Sequence, residues 1–162
     1  MIRCKNQLGN MVEIPKEKFI FRPNAYGLIV KDGNVLVMKN KHSGKYWFPG
    51  GGVHAHETLQ EGLVREVLEE TSIEITIINQ LFSTETFFYY EPEDTAYRFS
   101  LSFFHCIPTS SFDPHPGSEP DPDLLACEWI SINTLEPEQI NDLSQSGELG
   151  EKICEHLKKL SS

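Results

Sequence analysis

The stretch GGVHAHETLQEGLVREVLEETSI, residues 51–73, decides how this chain is read. It opens on glycines, crosses a short polar loop and enters a run, residues 58–71, with helical spacing. At about 100° per residue, Glu66, Glu69 and Glu70 share one narrow arc, with Gly62 in the same arc one turn earlier. Leu59, Leu63, Val64, Val67 and Leu68 fill an adjoining wide stripe, which the pattern predicts as the core face. The acids therefore stand at the border of that face. Their position is disfavoured twice. Like charges three or four residues apart repel, and the carbonyl end of a helix already carries partial negative charge. Partly desolvated carboxylates in such a group must raise their pKa values or recruit a cation. Gly62 weakens the helix relative to alanine, and its missing side chain would let another group approach the helix closely.

Outward from this stretch, the chain alternates turn signals with β-rich runs. AYGLIVK and NVLVMK flank Asp32-Gly33, a strong hairpin turn. KYWF follows and stops at Pro49. After the helix come IEITIINQLF, TETFFYY and YRFSLSFFHCI, the last two flanking Pro92 to Thr95 as a second hairpin. IRCKNQLGNMVEI, residues 2–14, reads as a small hairpin around Leu8-Gly9-Asn10. Residues 108–123, PTSSFDPHPGSEPDPD, are polar, acidic and proline-rich, and read as a surface loop. LACEWISI reads as a further strand. Two helices then close the chain, one over roughly Asn133 to Ile140 and one over GELGEKICEHLKKL, with Leu149, Ile153, Leu157 and Leu160 on one face. Trp47 and Trp129 are expected in the core. Strands and helices mixed without regular βαβ alternation give an α/β or α+β class with a mixed sheet.

The 162 residues are expected to form a single domain, 1–162. A formal net charge of −10 argues against a binder of long nucleic acid, which needs a broad basic surface. It leaves a small nucleotide open, since a divalent cation neutralises phosphate locally. The four cysteines form no CxxC pair, which argues against structural zinc and for a reducing compartment. MIRCKNQLGNMVE holds no apolar run of the kind a signal peptide carries, and no stretch approaches the ~20 apolar residues of a membrane span. The expected setting is cytoplasmic.

Pro49-Gly50-Gly51-Gly52 is a tight loop with nearly bare backbone, so carbonyls and amides can face a ligand closely. Three glutamates on one helical face suit a hard cation such as Mg²⁺, which prefers oxygen ligands shared with substrate phosphates. The spacing joins the two features. Gly51, Glu57, Arg65-Glu66, aliphatic Val67, Glu69-Glu70 and aliphatic Ile73 resemble the Nudix box, with Ser72 where that family has glycine. KYWFPGG and the hairpin before it are similar to the family as well.

The resemblance implies an α/β/α sandwich around a central mixed sheet. It implies a hydrolase of phosphoric anhydride bonds that cleaves a nucleoside diphosphate linked to another moiety X, with Mg²⁺ or Mn²⁺ as cofactor. Glu66, Glu69 and Glu70 would hold the metal, and the carbonyl of Gly50 would add a ligand. Together with Arg65 these acids would form the catalytic group. Arg65 would pair with Glu57, a bidentate fit that holds loop against helix. Gly51 and Glu57 would be structural. Glu66 is one candidate for the group that takes the water's proton. Glu119, Asp121, Asp123 and Glu128 are alternatives from a distant loop. Ser72 is expected to shift the helix exit without loss of activity. Lys39, at the end of its strand, is either a phosphate contact or a solvated lysine. His54 and His56 are either exposed loop residues or a transition-metal pair. Phe87, Phe88, Tyr89 and Tyr90 either stack on a base or divide between core and surface. The substrate would be a small nucleotide, a modified nucleoside triphosphate being the favoured class. The competing reading is a Nudix-fold module that senses a nucleotide without cleaving it.

Overall fold

The structure, a computed structural model, describes residues 1–109, 113–114, 122, 124, 127–144 and 146–161. Its strands are β1 (Ile2–Asn6), β2 (Met11–Ile14), β3 (Phe19–Lys31), β4 (Asn34–Lys39), β5 (Tyr46–Trp47), β6 (Gly50–Gly52), β7 (Ile75–Tyr90), β8 (Thr95–Pro108) and β9 (Glu128–Ser131). Helix α1 (Leu59–Thr71) lies between β6 and β7, and α2 (Leu149–Ser161) follows β9. The main sheet path runs β2-β1-β7-β8-β3-β4-β5, with β6 added on β3 and β9 on β4. The β3–β8 and β1–β7 pairs are parallel and the rest antiparallel, so the sheet is mixed as expected. Among the described residues, no helix is long and apolar enough to cross a membrane.

Strand alternation divides the core into two layers. On β3, Ala25 and Ile29 face α1, whereas Tyr26, Leu28 and Val30 face α2. On β4, Leu36 faces α1 and Val35 and Val37 face α2. Phe103 and Phe104 are adjacent on β8 and point to opposite layers. Leu63 and Val67 complete the α1 layer, and Leu149, Ile153, Cys154 and Leu157 complete the α2 layer. Trp47 is buried in the second layer and Trp129 packs at the edge of the first, as expected. A third small core holds Cys4, Ile14 and Ala96 under the β1–β2 hairpin.

Three expectations change. The two runs after α1 are one strand, β7, paired along its length with β8 and bulged between Ile77 and Asn79 and between Gln80 and Phe82. The bulges absorb extra residues without ending the pairing. The helix expected over Asn133 to Ile140 is two single 3₁₀ turns, Ile132–Thr134 and Pro137–Gln139. Pro137 holds Glu136 in an extended conformation, φ −106 and ψ 148, which breaks a continuous helix. The third change is the helix face. Val64 and Leu68 are 39% and 45% exposed, while Gly62, Leu63, Val67, Glu70 and Thr71 are buried. The buried arc is thus turned toward the acids and centred on Leu63 and Glu70. Most of the loop expected over 108–123 lies outside the described residues.

Candidate active site

Helix α1 is anchored at both ends. Thr58 Oγ1 accepts from the Glu61 amide at 3.1 Å and Glu61 Oε1 accepts from the Thr58 amide at 3.3 Å, a capping box. At the other end, Thr71 Oγ1 donates to the Val67 carbonyl at 2.7 Å and accepts from the Ile73 amide at 3.1 Å. Ser72 takes the left-handed conformation, φ 62 and ψ 13, and its amide reaches the Leu68 carbonyl at 3.0 Å. The exit therefore has the backbone geometry that glycine favours, carried by a serine.

The glycine strand lies against this helix. β6 pairs with β3 through Tyr26↔Gly50, Ala25↔Gly51 and Asn24↔Gly52. Gly50 has φ 142, and a Cβ there would collide with the Ala25 carbonyl and Tyr26. A Cβ on Gly51 would stand 3.1 Å from the Glu66 carboxyl, and one on Gly52 would stand 2.8 Å from Arg22 Nη2. Gly51 thus brings bare backbone to the acids, while Gly52 brings it to Arg22 on the other side. The expected close approach at Gly62 is made by Val53, whose Cγ2 would lie 2.9 Å from a Cβ there.

Arg65 ties loop, strand and acids together. Its Nε and Nη2 donate to Glu57 Oε2 and Oε1 at 2.7 and 2.9 Å, the bidentate pair expected. Nη2 also donates to the Gly52 carbonyl at 3.1 Å. Nη1 donates to Glu66 Oε1 and Glu69 Oε2, both at 3.1 Å. A guanidinium has five N–H groups, and each has an acceptor here. Glu57, only 9% exposed, also accepts from the His54 amide at 2.9 Å. Its hydrogen bonds to Arg65 and then to His54 hold its pKa down at about 2. The same pair holds Arg65 above the ordinary arginine range.

The three helical acids differ in setting. The side chains of Glu66 and Glu69 are 20% and 24% exposed. Burial pushes the Glu66 carboxyl above the ordinary range, against the pull of Arg65 and of a hydrogen bond with Glu70. Glu70 is buried, and its Oε2 is closed off from solvent and receives no hydrogen bond from the protein, although the residue interacts with Glu66. A clustered, oxygen-only donor set beside bare backbone fits a hard divalent cation. Among the described residues, no three His, Cys, Asp or Glu side chains are placed so that they could hold a metal ion together as they stand. Glu66 and Glu69 lean on Arg65 Nη1 instead.

The other expected residues scatter. The Lys39 ammonium lies over the Tyr46 ring at 5.4 Å, and no ion pair links it to the α1 acids. His54 and His56 are exposed with ring centroids 5.6 Å apart. The run Phe87–Tyr90 is divided. Phe87 packs edge-on to Phe19 in the small third core, Phe88 stacks on Phe99, and the Tyr89 hydroxyl donates to Asp94. Glu128 is exposed at the start of β9. Glu119, Asp121 and Asp123 lie outside the described residues.

Sequence reading missed Arg22 and Tyr26. Buried Tyr26 seats Gly50, and burial followed by the Glu70 charge holds its hydroxyl above the ordinary phenol range. Arg22 borders Gly52. No periodicity marks either residue, because only the β3–β6 pairing brings them to the glycines.

The NUDIX domain family matches residues 21–147. A Caenorhabditis elegans protein named as a nudix hydrolase is 32% identical over 108 residues, covering 65% of this chain and 26% of that protein. An ADP-ribose pyrophosphatase of Methanocaldococcus jannaschii is 42% identical over 50 residues, 29% of this chain and 30% of its own length. The chain thus spans under a third of these two curated relatives. A crystal structure of a NUDIX hydrolase from Nitrosomonas europaea superposes with a TM-score of 0.61, covering 93% of this chain and 75% of that one, at 16% identity. That likeness shows the shared α/β/α fold. A family match reaching from β3 past β9 includes the glycine strand, the acidic helix and the sheet that joins them, and this chain belongs to the Nudix family.

Proposed function

We propose that this chain is a metal-dependent pyrophosphohydrolase that cleaves a nucleoside diphosphate linked to a second moiety, with a modified nucleoside triphosphate as the favoured substrate class. Residues 1–162 would act as one cytoplasmic catalytic domain. The observation that carries this reading is the half-buried carboxylate cluster held against a side-chain-free strand by one saturated arginine. A cluster kept together against its own repulsion has a use for a cation that a plain solvated face lacks.

Glu66, Glu69 and Glu70 would hold Mg²⁺ or Mn²⁺, and the Gly50 carbonyl would assist. When bound, the ion would supply positive charge to the anhydride oxygens and make a neighbouring water more acidic. The chain's own part is separable from that chemistry. Arg65 spaces Glu66 and Glu69 and fixes the loop through Glu57. Gly51 leaves room for the Glu66 carboxylate at the strand. Glu66 is our candidate for receiving the water's proton, its carboxylate standing against the bare backbone of Gly51.

The test is a panel of nucleoside diphosphate derivatives incubated with Mg²⁺ and with Mn²⁺, reading phosphate, pyrophosphate and nucleotide products. Glu69→Gln and Glu70→Gln are each expected to lower turnover by about a hundredfold or more, with far-UV circular dichroism unchanged. Near-full rates in either variant would overturn the metal assignment. A wild-type protein that binds the derivatives and cleaves none would favour the sensing module.

A further inference from the structure

The carboxylate cluster needs a cationic counterpart for its polyanionic substrate, and Arg65 is not available for that role. All five of its N–H groups are engaged by Glu57, Glu66, Glu69 and the Gly52 carbonyl. Across Gly52 stands a second guanidinium. Arg22 is exposed, and its Nη2 and Nε would lie 2.8 and 2.9 Å from a Cβ at Gly52. Among the described residues, the Arg22 guanidinium has no ion pair and donates no hydrogen bond. The guanidinium lies over the Tyr97 ring, 5.8 Å from Cζ to centroid. The backbone beneath it is pinned, since Asn24 Nδ2 donates to the Arg22 carbonyl at 3.1 Å.

Tyr97 begins an aromatic ladder. Its ring stacks on Phe99 at 5.2 Å and 8°, and Phe99 stacks on Phe88 at 5.9 Å and 28°. All three rings are partly exposed. Cross-strand packing alone would explain the ladder. It does not explain an arginine with unengaged donors placed between that ladder and the glycine strand.

We propose that Arg22 and Tyr97 form a substrate subsite beside the carboxylate cluster, the guanidinium leaving the Tyr97 face to take a phosphate oxygen of the nucleoside diphosphate and the face it uncovers taking the base. The occupant is chosen by complementarity. Phosphate matches a planar, forked donor set, and any nucleobase offers a face to an aromatic platform. Arg22 is a binding residue here and holds no proton of the reaction. The proposal rests on the nucleotide reading above, though its test does not require turnover.

The test compares α,β-methylene-ADP, which resists cleavage between its phosphates, with methylenediphosphonate, which lacks the nucleoside, both titrated calorimetrically in Mg²⁺. Wild-type protein should bind the nucleotide analogue more tightly. Arg22→Ala should weaken that binding by about tenfold, the scale of one charge-assisted contact, and Arg22→Lys should restore part of it. Tyr97→Leu should weaken the nucleotide analogue by about tenfold while leaving methylenediphosphonate unchanged. Gly52→Ala supplies an independent route. Its Cβ meets only the Arg22 guanidinium among its nearest atoms, so it should displace the arginine and reproduce the loss without unfolding the strand. Wild-type affinity for the nucleotide analogue in Arg22→Ala and Tyr97→Leu would overturn the subsite. So would an equal loss of both probes in Tyr97→Leu. Absence of anhydride cleavage by the wild type would instead defeat the hydrolase reading and leave this binding comparison standing.

Discussion

Arg65 holds the site together because its donors and its acceptors match in number. A lysine in its place would offer a compact charge and could not bridge Glu57, Gly52, Glu66 and Glu69 in one plane. The pair with Glu57 links this geometry to pH. Glu57 is held down at about 2 from an ordinary value of 4.5. A carboxylate depressed in the folded state contributes stability above its unfolded pKa and loses it as pH falls through the folded one. The window is therefore between about 4.5 and about 2. Glu57→Gln removes the charge and keeps the shape. The stability difference between wild type and this variant should shrink as pH falls through that window, measured by urea unfolding at stepped pH. A difference that stays constant down to pH ~2 would show that the ion pair is not what Glu57 contributes. The Glu57–Arg65 pair was implied by the resemblance of residues 51–73 to the Nudix box, within which loop and helix are close in sequence. The contacts of Arg65 with Gly52 and of Gly52 with Arg22 were not, because they cross the strand.

At the scale of the element, α1 combines strong local signals with two local conflicts. Its capping box and apolar spacing favour a helix, while acids gather at the end where cations are preferred, with no basic residue in the last turn. Arg65 offsets this by reaching forward to Glu69, one turn on, at 3.1 Å. The second conflict is Ser72 in the left-handed region. A residue with a Cβ is disfavoured there by ~1–2 kcal/mol, partly cancelled by the greater freedom of glycine in the unfolded chain. Ser72→Gly should therefore raise stability by about 0.5–1 kcal/mol, read as a higher urea midpoint with an unchanged slope. A lower midpoint would mean that the serine side chain contributes more than its backbone costs. In place of the shifted turn expected, Ser72 itself takes the left-handed conformation, and Ile73 after it is buried.

For the whole molecule, the sheet matters because it carries the glycine strand. β6 hangs on the middle of β3, which is zipped to β8 from Phe19 to Ile29 and turns into β4 at its C-terminal end. Core packing on both faces of β3 therefore fixes where the bare backbone meets α1. A cation bound among Glu66, Glu69 and Glu70 would bind only this assembled form. Mg²⁺ should then raise the melting temperature, by an amount equivalent to about 2.7 kcal/mol at a hundred times Kd. Glu69→Gln or Glu70→Gln should abolish the rise in the same thermal scan. An equal rise in wild type and both variants would place the ion elsewhere.

The sequence by itself determined the helix, the hairpin at Asp32-Gly33 and the acid cluster, and its resemblance to the Nudix box implied the Arg65–Glu57 pair. All of these are set by spacings of a few residues, where backbone geometry leaves little choice. Tertiary structure decided which way the helix faces. Periodicity placed Val64 and Leu68 in the core and Glu70 at its border, yet Val64 and Leu68 are exposed and Glu70 is buried. The reason is close packing against a neighbour that periodicity does not include. Gly62 on Val53 and Glu66 on Gly51 can both be accommodated only if α1 rolls its acidic edge toward β6.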